Sequence, residues 1–411
     1  MVDLIVIGGG VAGLMSSGIA AAHGLKVVLL EKMEKPARKL RITGKGRCNL
    51  TNTKALDEFT EKIKSGGDFC KIALQEFDNQ KVISFFNSIG IATVTERGAR
   101  VFPESGKAFE VAQSFTQWAQ SKGVIIRNNT PAKQLIIESG QIVGIKTDNE
   151  IITTKYCILA TGGVSYPSTG STGDGHQMAW EVGHTIVPLR PALVALEIEN
   201  HLKLKGLLLK NVLSTLVING KSVDNRFGEV EFTDKGLGGA TVIQLSRQAV
   251  DSIIENKSVS IIIDTKPALS NSQLHGRIER ELRQLPNATL KVLLQKLIPS
   301  TLHNTIVSQA NISINTHTTK LTENQIEVLI STLKALEFKI LNYRPFTEAI
   351  ITAGGVSLDE VSHQTMESKK VKGLYFSGEL LDIDADTGGY NIQLALSTAV
   401  LAANSIVKAF K

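Results

Sequence analysis

Three cysteines in 411 residues (Cys48, Cys70, Cys157), none closely spaced, leave no basis for a disulfide framework, a redox disulfide or a zinc site. So small and odd a set suits a reduced, cytoplasmic compartment. The eight histidines are scattered, with no H-E-x-x-H pair, so no metal is expected. Aromatic residues make up only 5% of the chain, too few to form obvious clusters for base stacking. No run approaches about eighteen uninterrupted apolar residues, so no membrane span is expected. Residues 1–30 do not read as a signal peptide, because Asp3 replaces the positive start and a glycine-rich turn breaks the apolar run. Internal repeats and low-complexity tracts are also missing. One absence is local. The stretch RKLRITGKGRCNLTN, Arg38 to Asn52, contains five cations and no acid.

What is present describes an ordinary globular protein, 42% hydrophobic and 20% charged, long enough for two or three domains. A net charge of +6 makes anionic partners plausible, although such a charge mostly serves solubility. The first thirty residues are the most informative. DLIVIGGGVAGLMSSGIAAAHGLKVVLLEK predicts a strand (Leu4–Ile7), a tight turn (Gly8–Gly10), a helix (Val11–His23), a second strand (Lys26–Leu30) and a terminal acid, Glu31. Gly8, Gly10 and Gly13 fit G-x-G-x-x-G: the first permits the turn, the second lets a pyrophosphate reach the backbone, and the third lets helix and strand approach. The helix start offers free N–H groups and a positive dipole to phosphate. Glu31, eighteen residues after Gly13, stands where an acid accepts bonds from an adenosine ribose. An acid there favours FAD or NAD over a 2′-phosphorylated cofactor.

Two later stretches favour FAD. YCILATGG (Tyr156–Gly163) is a buried strand entering a glycine turn. VKGLYFSGELLDIDADTGGYNIQLALSTAVLAANSI supplies a short strand (Leu374–Ser377), an acid (Glu379), a glycine turn and a long apolar helix. In two-dinucleotide-type flavoproteins such an acid meets the ribitol, and the helix start faces the flavin O2 edge. Reducing a flavin puts negative charge on that edge, and a positive helix end stabilises it.

GKGRCNLTN, GARVFPESGKA, TGGVSYPSTGSTGDGH, FTDKGLGGATVIQLSR and the C-terminal segment follow the fingerprint in order. Together they resemble the YhiN/BaiN-like flavoproteins, the aminoacetone oxidase family, over essentially the whole chain. The resemblance implies an α/β fold: a Rossmann-type FAD-binding domain of two-dinucleotide-binding type, interrupted by a β-barrel-like and a helical insertion. It implies FAD as cofactor. Activities among relatives include amine oxidation, reduction of bile-acid enones and reduction of a ribosomal RNA uridine to dihydrouridine. By resemblance, the cofactor-binding positions are Gly8, Gly10, Ala12, Gly13, Glu31, Lys32, Lys39, Gly44, Gly46, Arg47, Cys48, Asn49, Ala132, Thr161, Gly162, Gly378, Glu379, Gly388, Gly389, Tyr390, Asn391 and Ile392. The cations from Arg38 to Arg47 could neutralise a pyrophosphate, while two or three of them belong to a solvated loop or meet an anionic substrate. Cys48 and Asn391 are the candidate catalytic side chains. Cys48 reads either as a small buried filler or as a proton donor or redox thiol whose pKa the neighbouring cations lower. Many relatives read F-T-H-x-G-x-S-G-P where this chain has Asp234, Gly238 and Ala240, so the family's substrate chemistry does not transfer directly.

The expected organisation is a FAD-binding domain over 1–190 and 346–411, a β-rich insertion over 191–266 and a helical insertion over 267–345. Within the first domain a helix is expected at Ala108–Lys122, with strands at Val124–Arg127, Leu135–Glu138 and Ile142–Tyr156. PLRPAL (Pro188–Leu193) reads as a crossing into the insertion. The dipeptide Asn219–Gly220 signals a hairpin. TGSTGDG (Thr169–Gly175) lacks a G-K-[ST] ending and reads as a loop and helix cap rather than a phosphate loop. No second G-x-G-x-x-G lies between Arg100 and Tyr343, so no NAD(P)H domain of the disulfide-reductase kind is expected. From Arg190 to Pro345, nineteen lysines and arginines face fourteen acids, a net +5. Three functions compete: a reductase of a C=C bond, with ribosomal RNA as substrate; a small-molecule oxidase or ene-reductase; and a non-enzymatic FAD-binding protein.

Overall fold

The computed structural model describes residues 2–199 and 201–411. The chain divides into two compact units, one running to Pro191 and resuming at Ile350, the other spanning Ala192–Ala349.

The first unit is organised by a seven-stranded sheet in the order β7-β2-β1-β10-β9-β8, with β19 also paired to β10. β1 (Val2–Ile7), β2 (Val27–Leu30), β7 (Ile125–Arg127), β10 (Ile151–Leu159) and β19 (Leu374–Phe376) run parallel. Their residues are largely buried on both faces, as parallel strands covered by helices must be. β8 (Ala132–Glu138) and β9 (Gln141–Thr147) form an antiparallel hairpin that extends from the first residues of β10. The run Ile142–Tyr156, expected as one strand, is therefore two, broken where Thr147 bonds back to Glu150.

α1 (Val11–Ala22) crosses from β1 to β2 and packs against α6 (Ala108–Ser121) and α13 (Tyr390–Phe410). α13 is the one helix among the described residues long and apolar enough to cross a membrane, yet 67% of its most apolar window is buried. It is a core helix, packed on α1 and α4 (Gly67–Glu76). Smaller pieces complete the unit: β3 (Thr51–Asn52), β5 (Thr93–Glu96) and β6 (Arg100–Pro103) form one sheet; β4 (Ile63–Ser65) pairs with β20 (Asp384–Ala385). Short helices α3 (Leu56–Thr60) and α5 (Asn79–Ser88) lie between them in sequence, and α7 (Asp174–Glu181) follows β10. Residues 188–193, expected as a mere crossing, belong mostly to β11 (Ile186–Ala192), which pairs with β18 (Ile351–Val356). Two prolines are tolerable there because a two-stranded ribbon leaves each strand one free edge.

The second unit is a closed barrel, β12-β15-β14-β13-β16-β17. It comprises β12 (Leu196–Ile198), β13 (Leu208–Ile218), β14 (Lys221–Thr233), β15 (Gly236–Gly238), β16 (Val259–Asp264) and β17 (Leu336–Tyr343). The β13–β14 turn is Asn219–Gly220, both with positive φ (48° and 76°), which matches the right-handed strand twist. α8 (Ala240–Ile254), not anticipated, packs on the barrel because VIQLSRQAV has helical spacing that its glycine-rich approach conceals. α9 (Asn271–Gln284), α10 (Leu290–Leu297), α11 (His303–Ala310) and α12 (Glu323–Lys334) follow β16. The last barrel strand comes after them. The helices thus interrupt the barrel between two neighbouring strands, where the sequence suggested a β part followed by a helical part. LEFKILNY alternates buried and exposed residues, but only pairing with β12 and β16 reveals it as a strand.

Candidate functional site

The N-terminal glycines have separate physical reasons. Gly8 has φ 103°, and a Cβ there would lie 2.6 Å from the Ala160 carbonyl oxygen. A Cβ on Gly13 would strike the carbonyl oxygen of Gly8. Gly10 differs: nothing in the chain lies within 4 Å of where its Cβ would be. It is the N-cap of α1, and no side chain caps that helix start. The turn is therefore closed by protein on one side and open at the helix N-terminus, the geometry a pyrophosphate requires.

Glu31 ends β2 with its carboxylate held in place. Oε2 accepts from Gly9 N (2.8 Å) and Oε1 from Met33 N (2.8 Å). Burial raises its pKa above the ordinary value, opposed by those two backbone donors and by Lys32 and Arg38. Ala132 begins β8, while the backbone N–H groups of Asn129 and Thr130, just before it in sequence, donate to the Met33 and Glu31 carbonyls. Thr161 and Gly162 follow β10. Gly162 has φ 72°, and the Thr161 hydroxyl is buried without a partner.

Arg38–Gly46 is helical (α2) where a loop was expected, but non-helical at Thr43, Gly44 and Lys45, the last two left-handed. Of the five cations from Arg38 to Arg47, three are matched with acids. Arg38 bonds Glu34 (2.7 Å), Lys39 bonds Glu379 (2.7 Å), and Arg47 bonds Glu96 while stacking on Phe102. Lys32 likewise pairs with Asp174 (2.7 Å) and Thr172. These charges are balanced within the protein, so the segment is not a general reserve for pyrophosphate. Gly46 has φ 85° with open space around its Cβ position, and a Cβ on Gly44 would lie 3.4 Å from Asn49 N. The Asn49 Oδ1 is buried without a partner.

Cys48 is fully buried, with a left-handed φ of 62°. Burial pushes its thiol up to about 12, only partly countered by the Thr43 side chain. The expectation of a cation-activated thiolate fails, because the neighbouring charges are spent on acids while desolvation acts in full.

At the far end of the chain, Gly378 has φ 72° and its Cβ position lies 3.1 Å from Ala12 Cβ, setting the Glu379 turn on the start of α1. Glu379 is fixed by three donors. Oε1 accepts from Thr352 N (2.8 Å) and Ser165 Oγ (3.0 Å), while Oε2 accepts from Lys39 Nζ, which also donates to Ser165 Oγ (2.6 Å). Lys39 and Glu379 stand 340 positions apart in sequence. Ser165 lies within TGGVSYPSTGSTGDGH, but neither it nor Thr352 carries a signal that would have marked it as a partner of Glu379.

The start of α13 is built the same way. Gly388 (φ 131°) and Gly389 (φ 96°) lead into it, and Gly389 is an N-cap without a side-chain cap. A Cβ on Gly389 would lie 2.7 Å from Thr51 Cα. Asn52 Nδ2 donates to the carbonyls of Gly388 (3.3 Å) and Gly98 (3.1 Å), and Thr51 Oγ1 donates to Gln393 Oε1 (2.6 Å). So the LTN end of the cationic segment is a clamp on the C-terminal helix. Tyr390 packs edge-on against Phe59 (4.7 Å), and Ile392 packs against the core. Asn391 is not free for chemistry: its amide accepts from Ala385 N (3.0 Å) and donates to Ala385 O (2.9 Å) and Asp386 O (3.3 Å). Asp234 is an exposed acid 3.9 Å from Lys205.

Two uncapped helix starts, a ribose-type acid between them in sequence and a parallel sheet beneath define a dinucleotide-binding flavoprotein. The model of the HI0933-like protein Rossmann domain matches residues 2–405, and the chain belongs to that family. Among curated proteins it is 32% identical to the 3-dehydro-bile acid delta(4,6)-reductase of Clostridium scindens, covering 97% of each chain. It is 28% identical to the ribosomal RNA dihydrouridine synthase of Escherichia coli, covering 99% of this chain and 98% of that one. Its fold is similar to that of 3-ketosteroid delta1-dehydrogenase from Sterolibacterium denitrificans (TM-score 0.55, 13% identity, 99% of each chain). The E. coli quinol fumarate reductase FrdA shares the fold over 99% of this chain and 70% of its own (TM-score 0.51, 14% identity). The protein is an FAD-dependent oxidoreductase.

Proposed function

We propose that this enzyme reduces a ring C=C bond conjugated to a carbonyl, with a uracil of ribosomal RNA as substrate. The carrying observation is that relatives of 32% and 28% identity, aligned end to end, are named for substrates that differ greatly in size but share that bond type. A 3-oxo bile acid with unsaturation at position 4 and a uracil both place the C=C next to a carbonyl, so hydride adds to the far carbon. The RNA choice rests on charge: the net +5 of residues 190–345, together with a cationic segment beside the site.

The residues suit FAD. The open face of Gly10 and the α1 N-terminus would take the pyrophosphate, and Glu31 the adenosine ribose. Glu379, oriented by Lys39, Ser165 and Thr352, would meet the ribitol. Bound FAD supplies a hydride at N5. Gly388 and Gly389 keep the α13 N-terminus clear of side chains, so its N–H groups would stabilise negative charge at the flavin O2 edge. Thr51 and Asn52 hold that turn in place. Hydride addition to the substrate leaves negative charge on the conjugated carbonyl, and the neighbouring carbon then takes up a proton. Cys48, buried and bonded near Thr43, serves as packing, and Asn391 as a turn clamp.

The test is anaerobic. Holoenzyme reduced with dithionite is mixed with a uridine-containing RNA or a conjugated enone, and flavin reoxidation is followed alongside product mass. Reoxidation with gain of two hydrogens by the substrate supports the reading. No reoxidation by either substrate, with an amine consumed and oxygen taken up in a parallel aerobic assay, overturns it in favour of an oxidase.

A further inference from the structure

Two cations of the acid-free segment remain without acid partners among the described residues, Arg41 and Lys45, and Arg41 lies beside an aromatic ring. The guanidinium of Arg41 sits 4.9 Å from the Phe109 ring centroid, and its Nε and Nη1 are buried with no hydrogen-bond partner. Phe109 is 58% exposed, at the start of α6. On the other side of the turn from Pro103 to Lys107, Phe102 is buried beneath the Arg47 guanidinium, 4.4 Å from its ring centroid, with Arg100 at 5.7 Å. Gly106, within that turn, would place a Cβ 3.9 Å from Arg47 Nε. Lys45, between Arg41 and Arg47 in sequence, is exposed and held left-handed.

A single exposed phenylalanine is ordinary surface. This one is backed by a guanidinium that gives it charge without an acid to absorb it, and a second guanidinium, that of Arg47, lies 4.4 Å from the centroid of the buried Phe102 ring. Planar groups stacked in cation–aromatic layers, one ending in an aromatic face and one in an arginine face, suit unpaired bases. Lys45 and Arg100 suit the phosphates between them, while Arg47 is already paired with Glu96. The layers are also continuous with the flavin side of the unit. Leu50 N bonds Val101 O (2.8 Å), β3 pairs with β6, and Asn52 bridges Gly98 to Gly388 at the start of α13.

We infer that the surface formed by Arg41, Lys45, Arg47, Arg100 and Phe109 is a docking platform for single-stranded RNA flanking the reacting base. This rests on the RNA reading of the preceding subsection. The five residues are carried by α2, β6 and α6, elements of the first unit alone, so the platform does not depend on the barrel's diffuse charge. A bile acid would have no use for it, since a rigid carboxylated ring system offers one negative charge and no planar bases.

The experiment uses the FAD-loaded full chain and a short, unstructured, fluorescein-labelled oligouridine. Phe109→Ala should weaken binding roughly five- to a hundredfold, the loss of about one base–aromatic stack. Because Phe109 is exposed, this variant should retain full flavin content and unchanged flavin reoxidation by a free enone. At full flavin loading, Arg41→Gln combined with Lys45→Gln should lower the log–log salt slope by about 1.4, two phosphate contacts at about 0.7 each. Wild-type affinity and slope in both variants would overturn the platform. So would binding of heparin and oligouridine that Phe109→Ala leaves alike, which signals a charged surface without stacking. If the wild type ignores oligouridine but is reoxidised by an enone, the platform falls and the reductase reading stands. If the variants lose RNA binding as expected but no conjugated C=C reoxidises the flavin, the platform stands and the reductase reading falls.

Discussion

The two helix starts that frame the site, α1 and α13, solve one problem by different means. Both begin at a glycine and neither has a side-chain cap. At α1 most of the constraint is local: Gly13 packs on Gly8 within the same turn, and Glu31, one crossover later, fixes Gly9. At α13 much of the constraint comes from segments more than three hundred residues away, Thr51 on Gly389 and Gln393, and Asn52 on Gly388. A local turn can be built from one motif. The second works only when the chain has folded back, so its integrity reports on tertiary structure rather than on the motif itself.

The sharpest break in that comparison is Gly389→Val. A β-branched residue at φ 96°, pressed against the Thr51 backbone, should cost about 2–5 kcal/mol from left-handed strain plus overpacking. Flavin should be lost while the barrel's melting transition survives, as read by calorimetry and absorbance. Gly13→Ala meets only the Gly8 carbonyl in a helix otherwise tolerant of alanine, and should cost about 1–3 kcal/mol. If Gly13→Ala proves the more damaging, the local turn is the more critical of the two.

Glu31→Ala probes the α1 side by chemistry instead of shape. FAD affinity should fall by about 1–3 kcal/mol, the scale of a hydrogen bond to a charged group, measured by titration of the apoprotein. The flavin released on denaturation should be FAD, not FMN. Glu360→Gln serves as a control away from both turns. Burial would raise its pKa, yet its carboxylate, bonded to Thr185 and Lys370 and beside buried His184, is held down to about 2. An acid with a depressed folded pKa adds stability above its unfolded value near 4.5, and that stability disappears as pH falls through about 2. Wild type and variant should therefore differ at neutral pH and converge across that acid window in denaturant titrations. The smallest effect is expected for Thr51→Val, about 0.5–1.5 kcal/mol for one buried hydrogen bond, with flavin retained. A larger loss would make the clamp, not the glycines, the weak point of the α13 turn.

Some of this was legible from residues alone. Strand, glycine turn, helix, strand and acid in thirty residues leave few alternatives, because each glycine answers a clash or an opening within reach of its own neighbours. The hairpin at Asn219–Gly220 is legible for the same reason. The fate of the cations was not. Five positive charges in a row say nothing of which acids will meet them, and Glu34, Glu96 and Glu379 lie anywhere from four to 340 positions away. β17 and α8 were missed because their patterns become decisive only against partners, a strand edge in one case and a barrel wall in the other.

The sequence by itself determined the glycine turn, the acid that follows the second strand and the class of cofactor, since these depend on backbone conformations and short-range contacts that a dozen residues specify. Tertiary structure alone decided that Cys48 is buried with its thiol pKa raised, that Asn391 bonds back to Ala385 and Asp386, that Ser165 and Thr352 orient Glu379, and that Arg41 backs an exposed ring. Desolvation and charge pairing are set by what surrounds a group, and here those surroundings come from across the fold.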